Sequence, residues 1–134
     1  MQDNDQIALA RIRFDNALRC IKSSKLLISD EDYKSAANRS YYAVFYAIRA
    51  VLALDGIDYK KHSAVISHFR KEYIKTGIFD TSLSEVLSEL FDIRTDSDYD
   101  DFFIISKEEV IRQIRNAETF VELVRAYLLN RFKQ

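Results

Sequence analysis

The sequence contains no proline, and glycine occurs only at Gly56 and Gly77 in 134 residues. Sandwiches, barrels and alternating strand–helix folds turn often, and their turns draw on these two residue types for fixed or left-handed backbone angles. A chain almost without them makes few turns and long elements, so the expected class is all-α. Hydrophobic residues are 48% of the chain and charged residues 31%, which suffices for one core without metal or disulfide support. The length fits one domain over residues 1–134.

Hydrophobic spacing divides the chain into five helices. Ile7, Ala10, Phe14, Ala17, Ile21 and Ile28 recur at three- and four-residue steps, predicting a first helix from about Asp5 to Ile28. Ser29-Asp30-Glu31-Asp32 supplies caps and first-turn acids for a second helix reaching Leu54, with Gly56 as its C-terminal stop. A third helix spans about Lys61 to Lys75 and closes at Gly77, and Thr81 or Ser82 caps a fourth over about Leu83 to Ile93. That helix is expected to fade into the polar run Arg94 to Asp101. Ser106 and Glu109 have capping-box spacing, in which each side chain satisfies a helix-start amide of the other, and a fifth helix then runs to about Phe132. Three long helices joined by short connections predict an up-down antiparallel bundle, with the third and fourth packed across one end.

Several functions are excluded by what is missing. No Gly-rich phosphate loop exists, which removes P-loop and dinucleotide-binding fingerprints. The single cysteine, Cys20, cannot form an internal disulfide and is expected to pack as a small hydrophobe between Ala17 and Ser24. The histidines, His62 and His68, lack the spacing of a zinc motif, so no metal and no cofactor is expected, and His62 is read as capping or packing at a helix start. No run is long and apolar enough to span a membrane, and Met1-Gln2-Asp3-Asn4-Asp5 is acidic, unlike a signal peptide, so the expected address is the cytoplasm.

Formal net charge is −1, so binding to nucleic acid must come from a local patch. Lys60, Lys61, Arg70, Lys71 and Lys75 make residues 58–76 basic, whereas Asp92, Asp96, Asp98, Asp100 and Asp101 surround Arg94. Two constellations carry candidate chemistry. In the first, the run Asn38-Arg39-Ser40-Tyr41-Tyr42 continuing to Arg49 puts Asn38, Tyr42 and Arg49 near one side of the second helix, and an arginine beside stacked tyrosines can hold a phosphate and a base together. The alternative is a core rim whose Arg39 pairs with an aspartate. In the second, Arg94 stabilises a phosphoryl charge, or else forms an ion-paired helix end with Tyr99 and Phe102 tucked onto the bundle. A phenol ionises ordinarily at about pH 10, so Tyr99 is a residue type poorly suited to act as a general base.

The run Ser35-Ala36-Ala37-Asn38-Arg39-Ser40-Tyr41-Tyr42-Ala43-Val44-Phe45, then Lys61-His62-Ser63-Ala64-Val65-Ile66, Lys75-Thr76-Gly77, and Arg94 leading to Asp98-Tyr99-Asp100-Asp101-Phe102, resembles a HEPN domain. The likeness covers about Ile12 to Tyr127. It implies a helical bundle that often dimerises, with the polar motif of each protomer facing a shared cleft. The active branch of that family is a metal-independent RNase whose motif is an arginine followed four to six residues later by histidine. Arg94 matches the arginine, but Thr95 follows it, Tyr99 stands at the fifth place and no histidine occurs beyond Arg94. In some members a tyrosine two places after the histidine is modified with AMP, and that place here is Asp101.

Other members of the family are non-catalytic companions of a separately encoded minimal nucleotidyltransferase. The resemblance therefore implies a weakly active or inactive homodimeric module that binds nucleotide or RNA through Arg39, Tyr42, His62, Arg94 and Tyr99. The alternatives are a toxin-type RNase using Arg94, with Tyr99 as catalytic partner, and a purely structural helical scaffold.

Overall fold

The computed structural model describes residues 3–133; Met1 and Gln2 of the acidic N-terminal stretch, and Gln134, lie outside the described residues. Five α-helices follow one another: α1 (Asn4–Ser29), α2 (Tyr33–Leu54), α3 (His62–Phe69), α4 (Leu83–Tyr99) and α5 (Lys107–Phe132). No strand occurs among the described residues.

The helix ends follow from local chemistry. Asp3 and Asp32 accept backbone N–H groups at the starts of α1 and α2, satisfying donors that have no partner inside the helix. Gly56 and Gly77 adopt φ of +68° and +88°, the left-handed angles that a Cβ disfavours. At α4 the expected hydroxyl cap is absent. Asp80 Oδ1 accepts from Ser82 N at 2.8 Å, and the Ser82 side chain makes no cap bond. Ser106 Oγ does accept from Glu109 N at 3.1 Å, yet the Glu109 carboxylate turns to Arg112 and Gln113. Only half of the capping box forms.

α2 is the central element. Ala36, Ala37, Val44, Ile48 and Val51 are fully or almost fully buried, and α2 packs against α1, α3, α4 and α5. On α1, Ser24 meets Ser40 and Arg13 meets the Arg49 carbonyl, so positions rise on one helix as they fall on the other. α5 runs antiparallel to α1 by the same test. Lys25 pairs with Glu118, Phe14 with Arg125, and Arg11 with Phe132. The core is apolar and aromatic, with Phe69 and Phe120 at 0% exposure and 5.7 Å between ring centroids. Cys20 is buried among these residues, which pushes its thiol pKa up against the pull of Arg39.

Two stretches depart from expectation. After Phe69 the third helix widens into a π-helical turn over Arg70–Ile74, with Lys75 N bonded to Arg70 O at 2.8 Å. α4 continues past Ile93 to Tyr99, because Arg94 and Asp98 pair across one turn and Ser97 is buried. Tyr99 and Phe102 do not tuck back onto the bundle, being 80% and 90% exposed. Phe103 and Ile105, alternating with exposed Phe102 and Ile104, anchor that connector instead.

Candidate functional site

α2 and α4 bring the two constellations of the sequence into one cluster. Tyr41 and Phe45, one turn apart on α2, stack at 5.8 Å, and Tyr42 meets Tyr41 edge-on at 5.2 Å. Across from them, Arg94 of α4 lays its guanidinium 5.5 Å from the Tyr41 ring centroid and points one nitrogen at the Tyr42 hydroxyl, 3.5 Å away. Its Nε is 3.0 Å from Asp98 Oδ2 but is not aligned for a hydrogen bond, so the contact is an ion pair. The Arg94 side chain is 20% exposed, lodged but reachable. Arg39 sits 5.0 Å from the Tyr42 ring centroid and bonds Asn38 Oδ1 at 2.9 Å. Tyr42 thus has a guanidinium over its face and another near its hydroxyl.

His62, the first residue of α3, closes the cluster. Its ring stacks on Phe45 with 4.0 Å between centroids, and Nδ1 lies 3.0 Å from the Tyr41 hydroxyl. Tyr41 is 3% exposed, and its hydroxyl hydrogen has no other acceptor among the described residues. We therefore assign the O–H as donor and Nδ1 as acceptor, which leaves the proton of the neutral ring on Nε2. Burial, Arg94 and Arg49 all lower the His62 pKa below its ordinary value, and burial raises that of Tyr41 against the pull of Arg94. Both groups are therefore neutral at pH 7.

On the far side of Phe45 lies a polar recess lined by Arg49, Asp58, Tyr59, Lys60 and His62. Asp58 accepts from both Arg13 and Arg49, at 3.0 and 3.1 Å. Burial would raise its pKa, but the two guanidinium groups outweigh that and hold the carboxyl below its ordinary value. Among the described residues no group of three His, Cys, Asp or Glu side chains is placed to hold a metal ion, and no helix is long and apolar enough to cross a membrane.

The model of the HEPN domain matches residues 10–127, the same α2 face and α4 end just described. The chain belongs to the HEPN family. A UPF0332 protein of Thermotoga maritima is 36% identical over 108 residues, covering 81% of this chain and 82% of that protein. A Methanocaldococcus jannaschii protein described as "Putative toxin MJ0142" is 34% identical, covering 87% of this chain and 80% of its own length. A UPF0332 protein of Archaeoglobus fulgidus is 31% identical, with 83% and 88% covered.

Within this HEPN domain, four of the five residues singled out in the sequence converge: Arg39, Tyr42, His62 and Arg94. Tyr99 does not join them. Five positions beyond Arg94 on α4, it points about 140° away around the helix, and it is 80% exposed. Arg39 pairs with the Asn38 amide and the Tyr42 ring, not with an aspartate as the rim reading expected. Sequence reasoning missed Tyr41, whose spacing marks it as core. Its buried ring fits that reading, while its hydroxyl, the one polar atom there, orients His62.

Proposed function

We propose that this HEPN domain is a binding module, feebly hydrolytic or not at all, that holds a phosphate-bearing ligand, nucleotide or RNA, at Arg39, Tyr42, His62 and Arg94. It works as a homodimer and as the companion of a separately encoded minimal nucleotidyltransferase. The observation that carries this reading is the bond from the Tyr41 hydroxyl to His62 Nδ1. With Nδ1 occupied and Nε2 protonated, the imidazole donates a hydrogen bond to a phosphate oxygen but has no free lone pair to take a proton from a ribose hydroxyl. Arg39 and Arg94 supply the charge, and Tyr42 supplies a stacking face. Partnership with a protein is supported by the exposed Tyr99, Phe102 and Ile104 beside the acidic end of α4, an apolar patch with a charged rim.

The test is titration of the purified protein with AMP and with a short single-stranded RNA, followed by co-elution with a nucleotidyltransferase encoded beside it. Saturable binding lost in Arg94→Ala, with a common peak on the column, is expected. Absence of both leaves a structural scaffold. A second reading is the toxin-type RNase, favoured by two relatives described as "Putative toxin", a description that names no activity, and by the presence of an imidazole beside Arg94. It requires the opposite His62 tautomer, with Nε2 free to accept a proton.

A further inference from the structure

A groove of about 720 Å³ lies between α3, its π-helical turn and α4. It is separate from the recess beside Phe45 and is not explained by the cluster around Arg94. One wall presents Ser63, Ser67, Arg70, Lys71 and Lys75, and the other presents Ser84, Ser88 and Phe91. Three cations face a single lining carboxylate, Asp92, although the whole chain has a net charge of −1. The groove therefore concentrates positive potential where the molecule as a whole has none.

Its cations are arranged differently from scattered surface charge. The Arg70 guanidinium donates to Ser88 Oγ at 2.7 Å and to the Ser84 carbonyl at 3.2 Å, which fixes the fork against α4. Its Nε is buried and has no partner. The π-helical turn begins at Arg70, and such turns recur at functional sites because they are tolerated only where something compensates the distorted backbone. Lys71 and Lys75 stand exposed on the same wall.

The groove also leads towards the Arg94 cluster. Ser63 follows His62 directly, and Phe91, at the other wall, meets Tyr41 at 6.2 Å. From Ser63 to Lys75 the wall is about 18 Å long at 1.5 Å per residue, enough for several consecutive phosphates. Ser63 and Ser67 precede its three cations and Ser84 and Ser88 face them, so the groove offers donors to phosphate oxygens and hydroxyl acceptors to ribose 2'-hydroxyls. A carboxylate-bearing peptide would use only the donors.

Resting on the reading of the Arg94 cluster as a phosphate site, we infer that the α3–α4 groove is a track for the phosphodiester backbone of single-stranded RNA, held by Arg70, Lys71 and Lys75, which delivers the strand to His62 and Arg94. Nothing in the Arg94 motif requires this second, basic surface.

The experiment is fluorescence anisotropy with an end-labelled single-stranded RNA of about ten nucleotides, measured over a range of salt concentrations. It compares the wild type with Lys71→Ala/Lys75→Ala, with Arg94→Ala, and with Lys22→Ala on α1, an exposed lysine outside the groove. The double variant is expected to bind about tenfold more weakly, and its plot of log affinity against log salt to flatten by about 1.4, or 0.7 for each lost phosphate contact. Lys22→Ala should match the wild type. If the double variant keeps wild-type affinity and slope while Arg94→Ala loses binding, the track is overturned and the phosphate reading of the cluster survives. If only the double variant loses binding, the track stands and the cluster reading fails. No binding by the wild type overturns both, and displacement of the RNA by poly-glutamate as effectively as by unlabelled RNA overturns the track in favour of an acidic protein partner.

Discussion

The Tyr41 hydroxyl lies 3.0 Å from His62 Nδ1, joining the middle of α2 to the first residue of α3. This bond fixes which ring nitrogen carries the proton, and so whether the imidazole beside Arg94 offers a hydrogen or a lone pair. In 15N NMR of the labelled protein at pH 7.5, His62 is expected to show a protonated Nε2 and an unprotonated Nδ1. Tyr41→Phe should release that preference, giving a mixture of tautomers.

The same environment predicts how stability responds to acid. His62 holds its proton less well in the fold than at its ordinary value of 6.5, owing first to burial and then to Arg94 and Arg49. Between the folded and unfolded values the unfolded chain binds more protons, so this group's contribution is complete above about pH 6.5 and is lost as pH falls through the folded value. Thermal melts from pH 7.5 to 5 should show a decline in Tm that is smaller in His62→Gln. Equal declines in both proteins would place the pH dependence elsewhere.

Asp98 competes with any anion for Arg94, since its carboxylate sits 3.0 Å from Nε. Replacing it by asparagine keeps the shape of the residue and removes the charge. Affinity for a phosphate ligand should rise roughly fivefold, corresponding to about 1 kcal/mol, the upper scale of a partly exposed ion pair. Calorimetric titration of Asp98→Asn against the wild type measures this, and a loss of affinity would mean that Asp98 orients the guanidinium.

The core predicts a larger effect. Phe69 is wholly buried and touches Tyr73, Phe79 and Phe120, so Phe69→Ala leaves a cavity that these rings cannot close. The expected loss is about 3–5 kcal/mol in urea unfolding.

The number and order of the helices were legible in the residues, because absent proline, two glycines and apolar spacing all point to long amphipathic helices. The Ser106 start is legible for a similar reason, since a hydroxyl three places before Glu109 satisfies an amide that has no other partner. The end of α4 was not. Arg94 to Tyr99 carry no apolar stripe, so although an ion-paired helix end is one of the two readings of Arg94, nothing in the sequence carries the helix past Ile93 to Tyr99. The π-helical turn at Arg70 was also hidden, since it depends on packing against α4 and not on local preference. Of the site, Arg39, Tyr42 and Arg94 could be picked out by chemistry alone. The approach of His62 could not, because it depends on where the loop after Gly56 delivers α3.

The most direct measurement incubates the purified protein with an end-labelled single-stranded RNA and follows binding by anisotropy and integrity on a denaturing gel in the same samples. The account predicts RNA that is bound and intact, with binding lost in Arg94→Ala and weakened in His62→Ala. Conversion of most of the bound RNA to fragments ending in 2',3'-cyclic phosphate by the wild type, abolished in both variants, would contradict it.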